Sequence, residues 1–124
     1  MKRLVSFFEI PVQDFNRAVS FYEHVMNVKL EVMECENEKM AFFPKEESQC
    51  PGAISWTADN SFRPSSDGVL ISLSCEEMEQ TLKRVTSHGG TVVFPKTKIQ
   101  SEDRGYFALF KDSEGNRLGL HAEK

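Results

Sequence analysis

An internal repeat constrains this chain more than any other feature. Residues 7–22 read Phe-Phe-Glu-Ile-Pro-Val-Gln-Asp-Phe-Asn-Arg-Ala-Val-Ser-Phe-Tyr. An apolar run ends at Val12. Asp14 follows, with a side-chain oxygen that can accept from a free amide in a first helical turn. Phe15, Ala18, Val19 and Tyr22 then recur at the i, i+3, i+4, i+7 spacing of a helix with one apolar face. Adding 63 to those positions gives Met78, Thr81, Leu82 and Val85, at the same spacing and after a second apolar run at 69–75. One strand–turn–helix design is used twice.

The rest of the chain extends the duplication. Residues 4–12 predict a strand and 14–26 a helix, stopped at Asn27, which tolerates a left-handed backbone. Strands follow at 28–35, 39–44 and 52–57, with a polar loop at 45–51. Pro64, Ser65, Ser66 and Gly68 mark 59–68 as a linker between module one (1–58) and module two (69–124) of a single domain, 1–124. The second module repeats the order: strand 69–75, helix 76–88, then strands 91–95, 106–111 and 117–122. Ser74 and Glu77 have the spacing of a capping box, and Gly89-Gly90 ends the helix. Residues 97–105 predict a polar loop and 112–116 a turn. The fold class is α+β: two βαβββ modules forming a curved mixed sheet of about eight strands with an open cleft. One helix covers only one face of its sheet. The other face must meet the other half, a second chain or a ligand.

Composition narrows the partners. The net charge is −4 and no Lys/Arg cluster extends beyond Lys2 and Arg3. That argues against nucleic acid or an anionic membrane as the main partner. No apolar stretch approaches the roughly 20 residues of a membrane span. Glu9 and Pro11 cut short the signal-like opening, so the reading is a cytoplasmic protein. Cys35, Cys50 and Cys75 are odd in number and lack the spacing of a zinc or redox pair, which favours free thiols.

The paired order, with residues 9–22 in the first half and Gly-Tyr-Phe-Ala-Leu-Phe-Lys-Asp-Ser-Glu-Gly-Asn-Arg-Leu-Gly-Leu (105–120) in the second, resembles the vicinal oxygen chelate superfamily. That superfamily contains glyoxalase I, extradiol dioxygenases, fosfomycin-resistance enzymes and bleomycin-resistance proteins. The opening Phe-Glu-Ile-Pro-Val is similar to its glyoxalase-like bacterial branch. The more specific motif is an aromatic strand, then Asp-x-[Asp/Glu]-Gly-Asn, then a short apolar strand. In metal-dependent members the first and last strands of each half supply ligands, usually His and Glu. The matching positions here are Phe7, Leu70 and Gly119. The fourth falls within 52–57, which has neither carboxylate nor imidazole. Phe7, Leu70 and Gly119 offer no lone pair to a divalent cation. The resemblance therefore implies a cleft without the family metal and with no cofactor. It also implies a homodimer.

Alternation along strands sorts the candidates. If Phe7 faces the cleft, so does Glu9, while Phe8, Ile10 and Val12 go beneath the helix. Leu70, Ser72 and Ser74 face the cleft, with Val69, Ile71 and Leu73 beneath helix two. Arg117, Gly119 and His121 face the cleft, with Leu118 and Leu120 beneath. Phe7 and Leu70 become apolar walls, and Ser72, Arg117 and His121 polar ligand-binding groups. Trp56 is an alternative apolar lining, and Arg104, beside Gly105, a hinge residue able to bind an anion. Glu9 is the candidate catalytic residue, a base or an anchor for a cationic ligand; its structural alternative is a salt bridge to Arg117. The resulting expectation is a glyoxalase/bleomycin-resistance-like protein that binds a small organic molecule, either as a binder or as a metal-independent lyase or isomerase with Glu9 in proton transfer. One alternative is a metal-dependent, lactoylglutathione lyase-like glyoxalase or dioxygenase whose displaced ligand set includes Glu9 and His121. Another is a dimeric non-catalytic interaction module.

Overall fold

A computed structural model describes residues 4–46, 49–100 and 103–124. The elements run β1 (Phe8–Pro11), α1 (Phe15–Val25), β2 (Glu31–Glu34), β3 (Glu38–Phe42), β4 (Gly52–Thr57), β5 (Ser72–Ser74), α2 (Met78–Ser87), β6 (Thr91–Lys98), β7 (Tyr106–Lys111) and β8 (Arg117–Ala122). This is βαβββ twice, as the repeat requires. Hydrogen bonds group the strands into two mixed sheets of four, β1-β4-β3-β2 (sheet A) and β5-β8-β7-β6 (sheet B). In each sheet the first strand pairs in parallel with the last of its module and leaves its other edge free.

The helices start and stop for local reasons. The Asp14 side chain caps α1 by accepting from the Arg17 amide at 3.1 Å. Asn27 takes a positive φ of 54° just past its end, and Gly89 does the same after α2 at 97°. The capping box expected at Ser74 and Glu77 does not form. Ser74 is held in β5 opposite His121, and Glu77 caps α2 without a side-chain hydrogen bond. Strand β5 is also shorter than the apolar run predicted. Val69 is 89% exposed rather than beneath α2, because the chain joins the sheet only at Ser72. Strand β6 runs past Pro95 to Lys98 by way of two register shifts, which spare a proline the ladder bond it cannot make.

The core is shared. Ile10, Val12, Ala41 and Ile54 from sheet A and Ala108, Phe110, Leu118 and Leu120 from sheet B join one buried cluster with residues of both helices. Helix α1 buries Phe21 and Val25 as well as Phe15, Ala18 and Tyr22. It packs on its own sheet and also against module two, where Phe21 meets Phe110 with ring centroids 6.3 Å apart. Both sheets therefore spend their helix-side faces on the same core, and their opposite faces look outward. The sheets are open rather than closed into a barrel, as the α+β reading of two βαβββ modules expects.

The β7–β8 turn clamps the modules together. The Glu114 carboxylate accepts from the Gln13 and Asp14 amides at 3.0 and 2.8 Å, and from Arg17 Nε and Nη2 at 2.7 and 3.0 Å. Tyr22 donates its hydroxyl to buried Asp112 at 2.6 Å. Asn116 donates to the Pro11 carbonyl at 2.7 Å. Burial pushes the Asp112 carboxyl up, and the bonds from Tyr22 and Asn116 offset this only in part. At Glu114 burial acts the same way, but the bonds from Arg17, Asp14, Ser113 and Gln13 outweigh it and hold the pKa below the usual value.

Candidate functional site

The cross-strand register decides which side chains share each outward face. On sheet A, Glu9 lies beside Ala53 and Pro11 beside Ser55, while Phe42 pairs with Ala53 and Met40 with Ser55. Phe7 reaches the same face, its ring 6.3 Å from that of Phe42. Ser55 is buried and donates its hydroxyl to Glu9 Oε1 at 2.8 Å, which fixes an otherwise exposed carboxylate. The result is an aromatic and thioether surface with one oriented carboxylate. Glu31 and Glu38 share it by pairing with Phe42 and Thr57. No cation occurs on this face among the described strand residues.

On sheet B, Ser72 pairs with Gly119 and Ser74 with His121. Gly119, His121 and Arg117 in turn pair with Leu109, Phe107 and Lys111. Phe94 stacks on Phe107 with centroids 5.7 Å apart. His121 Nε2 donates to the Arg104 carbonyl at 2.6 Å, which leaves Nδ1 as the lone-pair nitrogen of the neutral ring. A β-carbon on Gly119 would meet the Ser72 hydroxyl, which would have to turn aside. The charged groups of this face are Lys111 and Arg117; no carboxylate joins them among the described strand residues.

The predicted site residues thus fall into three groups. Phe7 and Glu9 share the outward face of sheet A. Ser72, Arg117 and His121 share that of sheet B, with Leu70, 47% exposed, at its edge and Arg104 bonded to it through its backbone. Trp56 belongs to neither. It lies on the helix side of sheet A, packed against the core with Lys39 Nζ 5.0 Å from its ring centroid. The reason is register: Trp56 alternates with Ser55, and Ser55 is the residue that turns outward. The alternative salt bridge from Glu9 to Arg117 is absent, since the two lie on different sheets, and Ser55 is the partner of Glu9 instead. Phe42 and Met40 were not singled out from the sequence, where a large apolar residue in a strand gives no sign of its face.

A cavity of 580 Å³ opens where the modules meet, between the free edge of β5 and Phe8, Met26, Val28 and Phe43. Its lining is mainly apolar, as small-molecule sites usually are.

The positions matching the family's metal ligands do not fit a metal. A phenyl ring, an isobutyl group and a glycine hydrogen present no donor atom. Among the described residues no three His, Cys, Asp or Glu converge on a point that could hold an ion. Glu9 and His121, the proposed displaced pair, sit on different sheets. Among the described residues, no helix is long and apolar enough to cross a membrane.

Two βαβββ modules, each with one open sheet face carrying polar groups on an apolar ground, define an α+β protein of the vicinal oxygen chelate class. The chain belongs to the Glyoxalase/Bleomycin resistance protein/Dioxygenase superfamily, whose family model matches residues 4–120. Similar solved structures support the fold. A hypothetical protein SA1046 from S. aureus superposes with a TM-score of 0.69 at 21% identity, covering 97% of this chain and 94% of that one. A glyoxylase/bleomycin resistance protein/dioxygenase domain from Frankia sp. EAN1pec gives 0.72 at 16%, covering 98% of both. Glyoxalase I from Zea mays gives 0.71 at 13%; the match covers 95% of this chain but only 45% of the maize chain. No curated protein matches the sequence.

Proposed function

We propose that this protein binds a small organic molecule on the outward sheet faces, without the family's metal, and acts as a homodimer in the cytoplasm. Glu9 carries the reading. Its carboxylate is exposed, oriented by buried Ser55, on the face where the Phe7 and Phe42 rings meet, and without a cation on that face among the described strand residues. That combination suits a ligand with a cationic group attached to an apolar body, since aromatic faces and a fixed carboxylate both attract cations. The same carboxylate can take a proton, so a metal-independent lyase or isomerase would use it as its base. The cytoplasmic assignment is supported by Cys35, Cys50 and Cys75, all unpaired thiols.

Calorimetric titration with small aromatic ammonium compounds and with 2-oxo acids tests this. Calorimetry is the right readout, because Trp56 is on the wrong side of the sheet to report. Aromatic ammonium binding that is lost in Glu9→Gln and kept in Glu9→Asp supports a charge role. Binding unchanged in both variants removes Glu9 from the site.

A further inference from the structure

One histidine from each module meets the other where the two helices end. The chain has three histidines. His121 lies in β8, whereas His24 is in the last turn of α1 and His88 is the C-cap of α2. The His24 and His88 rings stack with centroids 4.6 Å apart and planes at 16°. Each ring is oriented by its own helix. His24 Nδ1 donates to the Ser20 carbonyl at 2.7 Å, and His88 Nδ1 donates to the Arg84 carbonyl at 3.0 Å. A carbonyl oxygen only accepts, so both neutral rings carry their proton on Nδ1 and keep the Nε2 lone pair. Neither Nε2 has a hydrogen-bond partner among the described residues. His24 is exposed and His88 half-buried, so solvent reaches the pair.

We infer that His24 and His88 form a two-imidazole site for a divalent ion of the first transition row, with nickel(II) and copper(II) the best match. Imidazole suits these ions, and a set of nitrogen and oxygen donors suits their tetragonal geometry. Among the described residues no third His, Cys, Asp or Glu joins the pair, so water fills the remaining positions. The locked Nδ1 atoms are the usual outer support of a metal-binding histidine, whose second ring nitrogen donates to a carbonyl or carboxylate. An ion about 2.1 Å from each of two imidazole nitrogens spaces them by at most about 4.2 Å. Rings with centroids 4.6 Å apart are already on that scale, and exposed His24 is the one free to tilt toward the ion. The local field agrees, because the negative ends of two helix dipoles lie here. Arg84 is turned into the helix pair, where its Nε donates to the Val25 carbonyl at 3.1 Å and its Nη2 to Thr81. The ion ties the end of α1 to the end of α2, and so module one to module two. It uses none of the positions that match the family's ligands and lies apart from the sheet faces.

Removing the three histidines one at a time tests the site. Nickel(II) alone is titrated into protein stripped with a chelator, followed by calorimetry and by thermal unfolding. The wild type should bind one ion per chain, and its Tm should rise, since an ion held only by the folded chain stabilises it. His24→Gln and His88→Gln should each weaken binding by at least the roughly tenfold that loss of an outer partner costs a metal site, and each should abolish the rise in Tm. His121→Gln should change neither. A second measurement needs no substitution: electron spin-echo modulation of the wild type loaded with copper(II) counts the bound imidazoles, and two are expected. A wild type that binds no nickel(II) overturns the inference. So does binding weakened in only one of His24→Gln and His88→Gln, which means a single surface imidazole. A copper(II) spectrum with one imidazole or none overturns it as well, as does nickel(II) binding that depends on His121.

Discussion

Replacing Glu114 by alanine removes the hub of the clamp between the modules. The Glu114 side chain has no exposed surface, whereas its partner Arg17 is 53% exposed. Water therefore replaces much of what Arg17 loses, and the ion pair itself contributes about 0.2–1 kcal/mol. The larger loss is the two amides at the entry to α1, Gln13 and Asp14, whose acceptor disappears. A lost helix-entry acceptor costs about 0.5–2 kcal/mol. Together these give roughly 0.7–3 kcal/mol. For 124 residues each kcal/mol moves Tm by roughly 4 °C, so the expected fall is roughly 3–12 °C. Thermal unfolding followed by circular dichroism measures it, with Arg17→Ala as the control that removes only the ion pair. The pH dependence has a definite sign. The folded-state pKa of Glu114 is lowered from 4.5, so its stabilisation is full above that value and is lost as pH falls through the folded pKa. The gap between wild type and variant should shrink in that window. A fall of less than roughly 2 °C at neutral pH would refute the clamp.

Three further outcomes follow from the same geometry. Tyr22→Phe takes a donor from buried Asp112 and should cost about 1–3 kcal/mol at neutral pH; because that bond favours the charged carboxylate, whose pKa burial raises, the loss should diminish as pH falls through that raised value, as read by urea unfolding. Gly119→Ala brings the new methyl against the hydroxyl of exposed Ser72, which can turn aside, so it should cost less than about 1.5 kcal/mol, with Ser72→Ala removing that cost in the double variant. Cys35 is exposed, whereas burial pushes the Cys75 thiol up, so alkylation mapped by mass spectrometry should mark Cys35 first and Cys75 last; the reverse order would contradict the burial of Cys75.

The fold was legible because the repeat is written in apolar spacing. Met78, Thr81, Leu82 and Val85 are all buried, at the positions that Phe15, Ala18, Val19 and Tyr22 predicted by translation. Strands β4, β7 and β8 fall at the residues that their patterns marked. What the sequence hid is long-range. Asp112, Glu114 and Asn116 read as turn residues, and nothing nearby reveals partners some ninety to a hundred positions away in Tyr22, Arg17 and Pro11. Alternation placed Glu9 on one face with Phe7 and placed Arg117 with His121, but it cannot tell whether two sheets turn those faces toward each other. Phe21 and Val25 held the clue: with them buried, α1 presents a wider apolar arc than a helix covered by one sheet needs. Trp56 could not be placed by pattern because 52–56 is apolar or small throughout, and only pairing with β1 fixes its register.

The role of Glu9 on the outward face of sheet A is tested most directly by calorimetric titration of the wild type and of Glu9→Gln with a small aromatic ammonium compound. The account predicts binding by the wild type that Glu9→Gln loses, and equal binding by the two would contradict it.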